Sequence, residues 1–280
     1  MANDDGSPDA GSPTGGNDAE SQVAMTVTRD VDYRGEDSHE EGRDLLDVYM
    51  PEGASRAPVV VFFHGGALTF GSKDSGRVLA EQLVPRGVGV VSANYRLSPE
   101  VTHPTHVRDA AAAVAWTVDN IAEYGGNTDR LVVSGHSAGG YLAVLLGLDP
   151  EFLEAESASM DAVRSVVAIS PFLYVEETAA DRDESVWGED PRGWLEASVT
   201  PRLRSGQPRA RPMLLVYASG DEQWRKAQIN RFAPHMVAVG NENMSVVEVP
   251  NRDHGSLMTD MDDPDDQIAE LIFREVWRTY

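Results

Sequence analysis

Short apolar runs alternate with amphipathic stretches along most of this chain of 280 residues. Continuous apolar runs bounded by turn residues are typical of buried parallel strands. They predict strands at Val23–Val31, Leu45–Tyr49, Pro58–Phe63, Val88–Asn94, Leu131–Ser134, Val163–Ile169, Met213–Ala218 and Ser245–Val249. Apolar residues at helical spacing predict helices at Gly76–Arg86, Val107–Tyr124, Ala138–Leu148, Trp224–Val239 and Asp265–Trp277. This alternation predicts an α/β fold with a central, mostly parallel sheet flanked by helices.

Two regions depart from this alternation. Residues 1–22 are rich in Gly, Ser, Pro, Asn and Asp, which predicts a disordered acidic tail ahead of one domain at 23–280. Residues 171–210 are irregular and contain Trp187, Trp194 and several prolines. A long irregular stretch inside a compact domain is usually functional, so we expect a small lid or cap insertion there.

The net charge of the chain excludes some classes of binding partner. The chain carries 46 Asp and Glu residues against 23 Lys and Arg residues, a formal net charge of −23. Such a charge repels nucleic acid and anionic membrane surfaces. The chain has no Cys, which excludes thiolate catalysis and disulfides. Because no apolar run is long enough for a bilayer and no secretory signal is visible, the sequence predicts a cytoplasmic protein.

Lysine is nearly absent, because Lys73 and Lys226 are the only two and every other cation is an arginine. A carboxylate-rich surface repels itself at low ionic strength, whereas ~1 M salt shortens the Debye length to about 3 Å. The composition favours a halophilic protein over an acidic protein adapted to ordinary salt.

The strongest chemical signal is the sequence from Gly135 to Gly139, which reads G-x-S-x-G around Ser137. A predicted strand precedes it and a predicted helix follows, which is the context in which such a turn exposes a nucleophilic serine. Glycines two residues before and after the serine remove side chains that would clash where the strand reverses into the helix. The N–H of Ala138, at the start of the helix, would then point to a developing oxyanion.

A second signal follows the predicted strand that ends at Phe63. His64 is followed by two glycines and Ala67, and bare glycines let backbone N–H groups approach a substrate oxygen. We expect Gly66 and Ala67 to donate to the oxyanion together with Ala138. His64 is interpreted as a hydrogen-bonded scaffold residue rather than a base.

A nucleophilic serine needs a general base and an acid that orients it, in the chain order serine, acid, histidine. His254 lies in a loop after the strand that ends at Val249, where open α/β sheets place their chemistry, whereas His235 falls within a predicted helix. Asp221 follows the preceding strand and is our choice of acid. Glu222 is the alternative acid, and Asp253 is interpreted as solvated.

Several short motifs together resemble the α/β-hydrolase superfamily. They are His64–Ala67, Tyr95–Pro99, Tyr124–Asn127, Gly135–Gly140, Ser219–Glu222 and Arg252–His254. The chain is similar to the carboxylesterases of that superfamily with a His-Gly-Gly motif, in the neighbourhood of hormone-sensitive-lipase-like esterases and kynurenine formamidases. The resemblance covers about residues 25–280, although Ala67 and Leu68 differ from the Gly and Trp usual in those two branches. It implies a catalytic triad, an acyl-enzyme intermediate and no cofactor.

These observations predict a serine esterase that acts on small carboxylic esters through Ser137, His254 and Asp221. Two alternatives stay open: an aryl formamidase that hydrolyses N-formylkynurenine, and a binding protein that has the fold without the activity. The expected partner is a small-molecule ester or formamide, and the chain is expected to be a monomer or homodimer. No metal site is predicted, since His103 and His106 lack a third ligand and the acidic run 260–266 lacks EF-hand spacing.

Overall fold

A computed structural model describes residues 23–35, 42–181, 184–203, 210–263 and 266–278. These residues form one eight-stranded sheet with the order β1-β2-β4-β3-β5-β6-β7-β8. The strands are β1 (Met25–Asp32), β2 (Leu45–Pro51), β3 (Ala57–Phe63), β4 (Gly89–Ala93), β5 (Gly126–His136), β6 (Val163–Ile169), β7 (Met213–Ala218) and β8 (Met244–Val249). β1 and β4 are antiparallel to β2, and β3 to β8 are mutually parallel.

The eight predicted strands are present, and the predicted α/β fold class is confirmed. The largest difference is β5, which begins at Gly126 rather than at Leu131. The predicted tail at 1–22 and Asp265, the first residue of the last predicted helix, lie outside the described residues.

The described ranges contain nine α-helices. They are α1 (Gly76–Leu83), α2 (Thr105–Asn120), α3 (Ala138–Leu148), α4 (Pro150–Ala155), α5 (Glu184–Trp187), α6 (Pro191–Ala197), α7 (Gln223–Ala238), α8 (Ser256–Thr259) and α9 (Gln267–Trp277). The predicted helix at 107–124 is α2 followed by a 3₁₀ turn at Ile121–Tyr124, and the predicted helix at 76–86 is α1 followed by a 3₁₀ turn at Val84–Arg86.

The core forms two layers, one on each face of the sheet. Successive side chains of a strand point to opposite faces, and in β3 Val61 and Phe63 enter one cluster while Val60 and Phe62 enter the other. The first layer contains α2 and α3, and the second contains α1 and α9. Every residue of α3 is buried, so this helix is apolar on all sides, as expected for a helix packed against both the sheet and α2.

The region predicted as an insertion follows β6 and contains α5, α6 and several 3₁₀ turns. Its described part packs into the first core layer through Leu173, Val175 and Val199, which are fully buried. Gln228 of α7 binds its backbone: the side-chain oxygen accepts from the N–H groups of Leu173 and Tyr174 at 2.9 and 3.2 Å. Residues 182–183 and 204–209 of this region lie outside the described residues.

Within the described ranges, none of the helices combines the length and the apolar character needed to cross a membrane.

Candidate active site

The three residues predicted as a triad meet at one edge of the sheet. Ser137 follows β5, Asp221 follows β7 and His254 follows β8, and the carboxyl ends of parallel strands share an edge. Oγ of Ser137 lies 3.0 Å from Nε2 of His254, and Nδ1 of His254 lies 2.8 Å from Oδ1 of Asp221. This is the geometry in which a serine hydroxyl can lose its proton to an imidazole.

Ser137 occupies a strained turn between β5 and α3. Its φ of 53° and ψ of −112° are unfavourable for a residue with a side chain. A Cβ on Gly139 would lie 2.0 Å from the carbonyl oxygen of Phe63, and one on Gly135 would lie 2.4 Å from the backbone of Gly139. The two glycines therefore permit the close approach of strand and helix that the turn requires.

Asp221 is buried, and both of its carboxylate oxygens have hydrogen-bond partners. Its Oδ2 accepts from the N–H of Ala218 at 2.8 Å and from the hydroxyl of Ser170 at 2.7 Å, while Oδ1 faces His254. Burial acts to raise the pKa of this carboxyl group, but the hydrogen bonds from His254, Ser170 and Ala218 hold the pKa below its usual value. Asp221 is therefore a carboxylate at neutral pH.

Sequence reasoning missed two residues that contact this acid. Ser170 directly follows β6, and its Oγ also lies 3.0 Å from Nδ1 of His254. Arg225, in the first turn of α7, donates to the carbonyl oxygen of Ser170 at 3.0 Å, and its Nε lies 3.7 Å from Oδ1 of Asp221. A polar residue at the end of β6, between the strand of the nucleophile and that of the acid, is the signal that could have revealed Ser170.

His136, the residue before Ser137, is tied to the loop of His254. Its Nε2 donates to the carbonyl oxygen of His254 at 2.9 Å, and the two rings lie 4.7 Å apart. Burial, with a contribution from His254, lowers the pKa of His136 to about 3. Its ring is therefore neutral near pH 7, with the proton on Nε2.

The loop after β3 supplies the two predicted oxyanion donors, Gly66 and Ala67. The carbonyl oxygen of Gly66 accepts from the N–H groups of Thr69 and Phe70 at 2.9 and 3.0 Å, which fixes a tight turn. A Cβ on Gly66 would lie 2.0 Å from the carbonyl oxygen of Phe70. Within the described part of the chain, the N–H groups of Gly66 and Ala67 donate to no protein acceptor.

Ala138 is the first residue of α3 and comes directly after Ser137. The backbone of Ser137 is fixed on both sides, because its N–H donates to Ile169 at 2.8 Å and its carbonyl oxygen accepts from Tyr141 at 3.0 Å. The first N–H groups of an α-helix have no partner within the helix. The N–H of Ala138 is therefore placed beside the serine.

His64 lies under the loop rather than at its surface. Its ring stacks on Tyr95 with centroids 4.3 Å apart, and its Nδ1 is 2.7 Å from the carbonyl oxygen of Gly65. Burial lowers the pKa of His64 to about 4. These contacts agree with the interpretation of His64 as a scaffold residue.

The alternative residues have partners other than the triad. Glu222 accepts from Nε of Arg225 at 3.1 Å and is half exposed. Asp253 accepts from the N–H of Ser256 at 2.8 Å and is exposed, and His235 is exposed on α7. His254 therefore contacts Asp221 and not the neighbouring acid.

A cleft of about 450 Å³ opens beside Ser137. Its walls come from the loop at 64–75, from Phe62, His136 and Arg225, and from His254 with Met258. None of the described residues of 171–203 lines it. The described part of the predicted insertion packs in the core beside the site.

A buried ion pair fixes the C-terminal end of the loop at 64–75, which lines the cleft. Nζ of Lys73 lies 2.6 Å from Oδ1 of Asp47, which has no exposed surface, and 2.8 Å from Asp30. The N–H of Lys73 donates to Oδ1 of Asn94 at 2.7 Å. One of the chain's two lysines thus fixes the loop to β2 and to the residue after β4.

Among the residues that the structure describes, one group has the spacing for a metal ion: Asp221, Glu222 and His254 can bring three ligand atoms within 4.8 Å of one another. These are the acid, its neighbour and the base described above, and their atoms are already paired with Ser137, Ser170 and Arg225.

Comparisons with known proteins identify the family and the fold of the chain. A model of the BD-FAE family matches residues 46–202, which is more than half of the chain and includes the loop at 64–75 and Ser137. The chain belongs to the BD-FAE family. Two relatives from Mycobacterium tuberculosis match this BD-FAE chain: "Esterase LipC" is 30% identical over 75% of the chain and "Esterase LipQ" is 31% identical over 76%. The matches cover 56% and 54% of those relatives, so the chain spans little more than half of their length.

Solved structures share the fold of this BD-FAE chain. A truncated carbohydrate esterase from gut microbiota matches 93% of the chain and 99% of its own length, with a TM-score of 0.72 and 19% identity. A thermophilic esterase from Thermogutta terrifontis, with butyrate bound, matches 91% of the chain and 93% of its own length, with a TM-score of 0.69 and 23% identity. These likenesses confirm the α/β-hydrolase fold.

Proposed function

We propose that this protein is a serine hydrolase that cleaves small carboxylic esters. The observation that carries the proposal is the unbroken line of hydrogen bonds from Ser137 through His254 to Asp221, with spacings of 3.0 and 2.8 Å. A nucleophile, a base and an acid in this order are the working parts of an acyl-transfer enzyme. The family relatives that are named esterases support the same reaction class.

In the proposed reaction, Oγ of Ser137 attacks the ester carbonyl carbon while Nε2 of His254 takes its proton. Asp221 holds the imidazole and stabilises the imidazolium that forms. The N–H groups of Gly66, Ala67 and Ala138 bind the negative oxygen of the tetrahedral intermediate. His254 then gives its proton to the leaving alkoxide, and water hydrolyses the acyl-enzyme by the same steps in reverse order.

The size and lining of the cleft support small, partly apolar substrates. A volume of about 450 Å³ lies at the lower end of the range usual for small-molecule sites. Phe62, Phe70 and Met258 give it an apolar wall, and Phe70 is 66% exposed. Such a wall binds the hydrocarbon part of an ester and leaves its carbonyl group to the serine.

The test is hydrolysis of p-nitrophenyl acetate, butyrate and octanoate beside N-formylkynurenine, with Ser137→Ala as the control. We expect turnover of the short esters and a loss on the order of 10⁴–10⁶ in kcat in the variant. Turnover confined to N-formylkynurenine would make the protein a formamidase. Folded wild-type protein that hydrolyses none of the four compounds would contradict the enzyme proposal.

The finer predictions from composition are also proposals. We propose that the protein is halophilic, because a net charge of −23 destabilises the folded chain unless salt screens it. The melting temperature should rise between about 0.1 M and 2 M KCl, well beyond the rise of an acidic protein with ordinary lysine content. The cytoplasmic location, the lid role of 171–210 and the choice between monomer and homodimer stay predictions.

A further inference from the structure

Ser170 is the residue outside the predicted triad that contacts two of its members. Its Oγ lies 2.7 Å from Oδ2 of Asp221 and 3.0 Å from Nδ1 of His254. The side chain is fully buried at the end of β6. Its contacts reach residues 51 and 84 positions away in the chain, so they depend on the tertiary fold.

The backbone of Ser170 is held in an unfavourable conformation. Its φ is 48°, in the left-handed region that glycine occupies without strain. Two hydrogen bonds hold it there: its N–H donates to Val216 at 2.6 Å, and its carbonyl oxygen accepts from Nη1 of Arg225 at 3.0 Å. A side chain at a position that suits glycine indicates that the hydroxyl itself is used.

The proton of this hydroxyl has one strong acceptor. A carboxylate accepts and does not donate, so at 2.7 Å the Ser170 proton goes to Oδ2 of Asp221. Oγ of Ser170 then presents only lone pairs to Nδ1 of His254. Because Oδ1 of Asp221 is also an acceptor, Nδ1 faces two acceptors and has to carry the proton.

This proton count determines the role of the other ring nitrogen. A neutral imidazole with its proton on Nδ1 has a free lone pair on Nε2. Nε2 lies 3.0 Å from Oγ of Ser137, so this tautomer is the one that can accept the serine proton. The opposite tautomer would place a proton between the base and the nucleophile.

We propose that Ser170 is a positioning residue of the active site, whose hydroxyl fixes Asp221 and holds His254 in the tautomer that activates Ser137. This inference rests on the proposed function. Ser170 touches no reacting atom and acts through the acid and the base. Arg225 completes the arrangement, because it binds the carbonyl oxygen of Ser170 and lies beside the carboxylate of Asp221.

Two substitutions separate the hydroxyl from the backbone strain. Ser170→Ala removes the hydroxyl and keeps a Cβ at positive φ, whereas Ser170→Gly removes the hydroxyl and relieves the strain. Ser134→Ala is the matched control for a buried serine hydroxyl, since it donates to the carbonyl oxygen of Val167 at 2.8 Å and not to the triad. Ser157→Gly is the control for strain alone, because Ser157 is exposed and has a φ of 62°.

The readouts are kcat and KM for p-nitrophenyl butyrate, the rate of inactivation by the organophosphate paraoxon, and the melting temperature. Paraoxon phosphorylates an activated serine, so its rate reports the nucleophile independently of ester binding. We expect both Ser170 variants to lose ~10- to 100-fold in kcat and in the inactivation rate, as fits the loss of a hydrogen bond to a charged group. KM should stay within about twofold, which indicates lost activation rather than lost binding.

The stability of Ser170→Gly makes the test decisive. We expect Ser170→Gly to be more stable than Ser170→Ala, because glycine adopts a φ of 48° without strain. A loss of kcat that the two variants share, measured where both are folded, then comes from neither strain nor unfolding. Wild-type kcat in folded Ser170→Gly, or a rise in KM alone, would overturn the inference about Ser170. A wild-type protein that reacts with neither the ester nor paraoxon would instead overturn the proposed function.

Discussion

The imidazole of His136 donates a hydrogen bond from Nε2 to the carbonyl oxygen of His254, at a distance of 2.9 Å. The residue directly before the nucleophile is thus bonded to the main chain of the base. Because β5 and β8 are separated in the sheet by β6 and β7, this bond joins the end of β5 to the loop after β8 across two strands. It fixes the distance between Ser137 and His254 without using either side chain.

Replacement of His136 should therefore slow the reaction. We expect His136→Leu to lower kcat about tenfold, which corresponds to the ~1 kcal/mol usually lost with such a hydrogen bond. His136→Gln keeps a donor of similar reach and should retain most of the activity. Steady-state kinetics on p-nitrophenyl butyrate test this, and equal losses in the two variants would contradict a role for the hydrogen bond.

Because the backbone of Ser137 is strained, we expect a glycine at this position to stabilise the fold relative to alanine although both abolish activity. In urea unfolding, the free energy of unfolding of Ser137→Gly should be about 1 kcal/mol higher than that of Ser137→Ala, because glycine adopts a φ of 53° without strain. Both variants should lose on the order of 10⁴–10⁶ in kcat, since both lack the nucleophile. Ser137→Gly that is less stable than Ser137→Ala would show that the turn stores no strain.

The contact between Gly139 and β3 predicts a strongly destabilising substitution. In Gly139→Ala the new Cβ would lie 2.0 Å from the carbonyl oxygen of Phe63, so the strand and α3 have to separate. We expect a loss of about 3 kcal/mol or more in the free energy of unfolding, together with loss of turnover. Gly193→Ala in α6 is the control, because its Cβ would lie 3.7 Å from the nearest atom, and its stability should stay within about 0.5 kcal/mol or rise.

The buried carboxyl group of Asp109 should make the free energy of unfolding depend on pH. Burial acts to raise the pKa of its carboxyl group, but hydrogen bonds from Arg96 and the nearby charge of Arg34 lower it below 3.8, the ordinary value. Since the folded pKa is lowered, the stabilisation is complete above the unfolded pKa. It is lost as the pH falls through the folded pKa.

The measurement is urea unfolding of wild type and Asp109→Asn between about pH 6 and pH 2. We expect the variant to be about 3 kcal/mol less stable at pH 6, because two arginines lose their buried partner. The difference should shrink below about pH 4 as the wild-type carboxylate becomes protonated. A difference that is constant over this range would exclude Asp109 as the titrating group.

The three residues predicted as a triad from the sequence lie close together in the structure. Ser137, Asp221 and His254 each follow a strand of the parallel part of the sheet, and the structure brings them within hydrogen-bond distance of one another. The turn around Ser137 can be predicted from a local pattern of five residues, Gly135–Gly139. Parallel strands then bring their following loops to one edge.

Ser170 and Arg225 could not be found in the same way. Ser170 looks like an ordinary strand-end serine, and its left-handed φ leaves no mark in the sequence, where glycine would be expected. Arg225 is one arginine among many and gains its role from contacts across the fold. Apart from the position of Ser170 at the end of β6, neither residue has a local pattern that points to the site.

The region at 171–210 was interpreted from its irregularity alone. Its α5 and α6 span four and seven residues, too short to show helical periodicity. The apolar residues that fix it include Leu173 and Val175, which lie in a continuous apolar run at 172–175 rather than on one face of a periodic element. The sequence therefore indicated a distinct segment without revealing that it packs in the core.

α7 gives that segment a mechanical connection to the chemistry. Gln228 grips the backbone at Leu173 and Tyr174, and Arg225, one helical turn earlier, binds Ser170 and lies beside Asp221. A displacement of the described part of this segment would therefore reach Asp221 through α7, although none of that part lines the cleft. Mutations there would change the rate at which a bound ester reacts more than the affinity with which it binds.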